Sequence, residues 1–130
     1  GFIYYVENLC KKVHTILYTG FLLDKDLHTI RKLLKDLLYN LEILDKKVQE
    51  FILKKYMNGR DLLFINELLQ QLGELQDKCT AIFVLSSYKR NHFSDHNEQL
   101  LDPILQEWIE EKVYLKQEII KRLKSDLTLI

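Results

Sequence analysis

The side chains able to do chemistry in this 130-residue chain fall into a few groups. Asp24, Asp26 and His28 lie close together in one region and His92, Asp95 and His96 in another, with Lys89 and Arg90 beside the second group. His92 and His96 are four residues apart, a spacing that on a helix places both imidazoles on one face, with Asp95 or Asp26 as a third ligand for a divalent metal. Against this, Ser94-Asp95 between them suits a loop, and neither an H-E-x-x-H nor a paired-cysteine motif accompanies them. The inward Glu and Glu-x-x-His set of di-iron helical bundles is also missing. The histidines therefore read as ordinary exposed side chains, and neither a metal nor a cofactor is expected. Nucleophilic catalysis has less support still. Cys10 and Cys79 fall on apolar stripes with no adjacent base, Ser86-Ser87 lack a glycine-rich elbow, and no phosphate-cradling loop is present.

The elements that must position these groups are helices. One Pro and 4 Gly in the whole chain nearly exclude a β-sandwich or barrel, whose turns need those residues. Lys+Arg and Asp+Glu balance at 19 each, which disfavours a strongly basic nucleic-acid module. Phe2, Val6, Leu9, Val13 and Ile16 alternate four and three apart, one face of a first helix that runs out at Thr19-Gly20. Asp24 or Asp26 can cap a second. There Ile30, Leu34, Leu37, Leu41, Leu44, Val48 and Phe51 keep the alternation, and Leu33, Leu38, Ile43 and Ile52 widen the stripe so that it faces more than one neighbour. This helix is expected to stop at Asn58-Gly59. A third runs from near Asp61 through Leu62, Ile65, Leu72, Leu75, Cys79 and Phe83, with Gly73 inside it, a residue tolerated there for a close helix contact. After the polar stretch from Tyr88 to Asn97, a fourth resumes with Leu101, Leu105, Trp108, Val113, Ile119, Leu123 and Leu127, and Pro103 suits its first turn. Short connections between four long helices predict an all-α, antiparallel up-down-up-down four-helix bundle, a single domain over 1–130. Breaks are expected near Gly20–Leu23, Asn58-Gly59 and His92–Glu98. In this arrangement the first and third connections share one end of the bundle, which gathers both groups of potential metal ligands.

The segment Arg90-Asn91-His92-Phe93-Ser94-Asp95-His96 resembles the Arg-x(4–6)-His signature of HEPN-type ribonucleases, in which a polar residue, often Asn, follows the Arg. Here five residues separate Arg90 from His96. The resemblance implies an all-helical, metal-independent endoribonuclease acting on RNA as a homodimer, with the two motifs meeting at the interface. It assigns His96 as general acid/base at the ribose 2′-hydroxyl, Arg90 to the charge developing on the phosphate, and Asn91 to orienting the pair.

A different class is favoured by the apolar surface. Phe2, Ile3, Tyr4 and Tyr5 are four consecutive bulky residues that cannot all face one core, so part of that surface is expected to meet a protein partner or the remainder of a parent chain. The seven tyrosines are dispersed rather than gathered as a base-stacking platform. No run approaches the ~20 apolar residues of a membrane span. The absence of an initiator Met and of a signal peptide reads as an excised, intracellular domain, cytoplasmic or nuclear, in which Cys10 and Cys79 are buried free thiols. The leading expectation is a non-enzymatic protein–protein interaction or scaffold domain that offers a groove to another helix, with the HEPN-like ribonuclease as the alternative.

Overall fold

The computed structural model describes the backbone of residues 1–91 and 95–127 and the side chains of residues 1–91 and 99–127. Every regular element among them is an α-helix: α1 (Phe2–Leu17), α2 (Asp24–Glu42), α3 (Lys46–Tyr56), α4 (Leu62–Asn91) and α5 (Asp95–Asp126). The all-helical expectation holds, but the four-helix layout is corrected to five helices.

The correction lies between Glu42 and Lys46, inside the stripe that reads as one helix. Asp45 leaves the helical path (φ −55°, ψ 141°), and its carboxylate accepts from the Lys47 amide at 2.9 Å. A short acidic side chain thus offers the backbone a helix start in place of a helix interior. Gln49 completes the corner, because its amide nitrogen donates to the carbonyls of Leu41 (2.5 Å), which also accepts the Leu44 amide, and of Leu44 (3.2 Å) in the connection. The turn also rotates the stripe. Ile43, Val48 and Phe51, expected in the core, are exposed at 72%, 40% and 55%, and α3 instead buries Ile52, Leu53 and Tyr56.

The other ends follow their local chemistry. The α1–α2 connection passes through Gly20 at φ +102°, and Asp26 rather than Asp24 caps α2 by accepting from the Leu23 amide at 2.8 Å. Asn58 and Gly59 adopt positive φ beyond α3, as the turn dipeptide predicts, and Asp61 caps α4 through the Phe64 amide at 3.1 Å. The third expected break falls largely on residues 92–94, outside the described residues. Helix α5 begins at Asp95, earlier than expected, so Pro103 sits inside the helix and not in its first turn. Pro103 is exposed, which leaves the Gln99 carbonyl, deprived of its helical donor, open to water.

The core lies where α1, α2, α3 and the inner halves of α4 and α5 meet. Leu37, Leu41, Ile52, Tyr56, Ile65, Leu68 and Ile119 are its sealed centre. The Tyr56 hydroxyl donates to Glu7 at 3.0 Å, and burial, followed by the Glu7 carboxylate, pushes that phenol above its ordinary pKa. Gly73 faces the end of the Arg31 side chain and not, as expected, a closely approaching helix. The Arg31 guanidinium lies across it, so that a Cβ there would stand 3.4 Å from Nη2, and Arg31 donates to Gln76 at 3.2 Å.

Burial in α4 ends at Leu75 and in α5 begins at Ile119. Asp24, the first residue of α2, stands against Lys112 and Lys116 and lines one cavity with Cys79. Beyond that level the last three turns of α4 and the first half of α5 continue as a two-helix arm, tied across by Lys78–Glu111 and Lys89–Asp102. At 1.5 Å per residue, α4 from Thr80 to Asn91 reaches roughly 17 Å past the body.

Candidate functional site

Among the described residues, those singled out in the sequence for chemistry fall at two separate places, the tip of the arm and the start of α2. Arg90 and Asn91 close α4 at the tip of the arm, both exposed, and the Arg90 guanidinium donates to the Ser87 hydroxyl one turn back at 3.2 Å. The His96 backbone belongs to the first turns of α5, and its side chain, with those of His92 and Asp95, lies outside the described residues.

Asp24 and His28 instead belong to the junction of α2 with α4 and α5. Asp24 accepts from Lys112 at 2.6 Å and Lys116 at 3.1 Å. Burial alone would raise its carboxyl, but the two ammonium groups outweigh that and hold it below the ordinary carboxylate range. Asp24, His28 and Cys79 line one cavity of about 190 Å³, and His28 Nδ1 is buried there without a hydrogen-bond partner. An Asp, a His and a Cys sharing a cavity suggest thiolate chemistry, but the electrostatics oppose it. Burial and the neighbouring Asp24 charge both push the Cys79 thiol up, the reverse of what an activated nucleophile needs. Among the described residues no group of three or more acid, His or Cys side chains is arranged to hold a metal ion. The thiols are free, Cys10 buried and Cys79 half-buried, and burial with the Glu7 charge takes Cys10 to about 11.

The aromatic start of α1 divides by helical geometry. Phe2 and Tyr5 pack against the core with ring centroids 5.6 Å apart, and the Tyr5 hydroxyl accepts from Asn40 at 3.3 Å. Ile3 (37%) and Tyr4 (69%) face water.

A larger apolar surface, not anticipated as a site, runs along the arm. Because each helix of a two-helix pair has only one partner, one stripe is used at the α4–α5 seam and the flanking stripes remain open. On one flank Ala81, Trp108 and Leu115 form the floor of a groove of about 570 Å³ rimmed by Glu74, Asp77 and Glu111. Lys78 lies over the Trp108 ring at 5.7 Å and pairs with Glu111 at 2.5 Å. By helical spacing Val84 and Ile104, 60% and 40% exposed, carry the floor toward the tip. The signal was present in the sequence as apolar residues beyond those one seam can use, but periodicity does not say how many neighbours a helix has. Comparison with family models, curated proteins and solved structures found no match to this chain.

Proposed function

We propose that this domain is a non-enzymatic protein–protein interaction or scaffold module that receives an amphipathic helix in the α4–α5 groove. The observation behind this reading is the arm itself: two helices continue past the core, Ala81, Trp108 and Leu115 line a groove that no other helix fills among the described residues, and Val84 and Ile104 are exposed toward the tip. Large apolar side chains gathered in a groove with an acidic rim suit a helix carrying apolar anchors and basic flanks. Ile3 and Tyr4 form a secondary contact for a partner or for further chain. The two unpaired thiols accord with an intracellular setting, cytoplasmic or nuclear. Among the described residues no helix is long and apolar enough to cross a membrane.

Trp108 is the only tryptophan, so its emission reports on the groove alone. Titration with a synthetic Lys/Leu amphipathic helical peptide should give a saturable blue shift. A scrambled peptide of the same composition should not, and Val84→Glu should weaken the effect at least several-fold. Cleavage of unstructured RNA without added metal, lost in Arg90→Ala and His96→Ala, would overturn the non-enzymatic reading in favour of the HEPN-like alternative.

A further inference from the structure

The chain carries the complement of its own groove, and we propose that α3 of one copy seats in the α4–α5 groove of a second copy. This rests on the interaction reading above and names its partner. The break at Asp45 leaves Val48 and Phe51, three residues apart, on an outward flank of α3. Lys55 Nζ lies 5.9 Å over the Phe51 ring, and Lys47 and Lys54 are exposed alongside. Helix α3 has four Lys against one Glu, a short basic amphipathic helix on its solvent side. The groove presents the opposite: an apolar floor with three carboxylates and one Lys.

The segregation extends over the whole chain. Residues 1–60 hold eleven Lys and Arg against seven Asp and Glu, and residues 61–130 hold eight against twelve, so a net charge of zero conceals +4 and −4. Bringing α3 of one copy to the arm of another removes apolar side chains from water at both surfaces and joins opposite charges. The two surfaces differ, so a single contact is heterologous and leaves one α3 and one groove free to add further copies head to tail.

Sedimentation velocity of the whole chain should show association that grows with concentration at low salt and weakens on the order of tenfold near 0.5 M salt, where charges are screened within about 4–5 Å. Phe51→Glu and Val84→Glu alter exposed positions, and unchanged far-UV circular dichroism verifies that each variant folds. Each alone should be monomeric. Mixed, they should form a 1:1 dimer that grows no further, because each keeps one intact surface, and the Trp108 emission of the Phe51→Glu chain should shift to the blue. A wild-type chain that stays monomeric at low salt, assembly that survives both substitutions, or variants that do not pair on mixing would overturn the proposal. A monomeric chain whose Trp108 still responds to the basic peptide loses the self-association and keeps the interaction reading. A chain that does neither loses both.

Discussion

Leu41 and Val84 both sit in long helices, and the helix of Val84 is the more apolar of the two, yet Leu41 is fully buried and Val84 is 60% exposed. The difference is one of neighbours. Helix α2 packs between α1 and α4, so its stripe is covered over a wide arc, whereas past Thr80 the outer turns of α4 have α5 alone beside them among the described residues. A helix with one partner can hide one seam, and apolar residues outside that seam remain in water however hydrophobic they are. The body is thus stabilised by enclosure, and the arm is held by a seam, cross-helix ion pairs and continuity of its two helices with the body.

The comparison breaks most visibly on substitution of the core. Leu41→Asp places an unpaired charge at a sealed position and should cost roughly 4–5 kcal/mol, a large part of the stability of a domain this size, as read by urea unfolding. A loss below about 1 kcal/mol would mean the body is not enclosed as described. Thiol chemistry sharpens the contrast next. With its thiol buried and its pKa raised to about 11, Cys10 should react at least about tenfold more slowly than a free thiol near neutral pH. Cys79, half-buried where the arm leaves the body, should be modified first. Equal rates at the two thiols would contradict the assignment.

Gly73→Ala is expected to stabilise by roughly 0.5–1 kcal/mol. The added methyl meets only the end of the flexible Arg31 side chain, at 3.4 Å, and the helix gains the propensity of alanine. A lower Tm would show that Arg31 cannot yield. The Asp24 pairs should matter less, because the carboxylate is partly exposed. Its folded pKa is depressed, so its contribution is present above the unfolded value, near 3.8, and is lost as pH falls through the lower folded value. Asp24→Asn should therefore remove up to about 1 kcal/mol at neutral pH and flatten the acid limb of the stability curve in that window. The smallest effect belongs to the arm: Ile104→Glu, at an exposed position, should change stability by less than about 0.5 kcal/mol.

Much of the body was legible in the sequence because its stripes and its stops coincide. Gly20 and Asn58-Gly59 end helices where the apolar spacing also lapses. The corner at Asp45 was hidden because the spacing continues through it: Leu44, Val48 and Phe51 keep the four-three alternation while the backbone turns away. An Asp within a stripe is the one local sign of a new helix start. Pro103 misled in the opposite sense, since a residue suited to a first turn is also tolerated further in where the bereaved carbonyl meets water. For the candidate site, the surplus of apolar residues was visible, whereas its location on the arm depends on how many helices each stripe meets. The excess width attributed to the second helix largely faces the core, and the open flanks belong to α3, α4 and α5.

The corner at Asp45 also bears on how such a fold changes over evolutionary time. It is tied by the Asp45 carboxylate and by Gln49 reaching back to the carbonyls of Leu41 and Leu44, with no glycine or proline in the bend. The residues on either side already suit an unbroken helix. Replacing those two side chains with strong helix formers would remove the tie and leave a sequence compatible with α2 and α3 fused. Few substitutions therefore separate this five-helix arrangement from one with a longer second helix, and drift at positions 45 and 49 is a short path between two architectures.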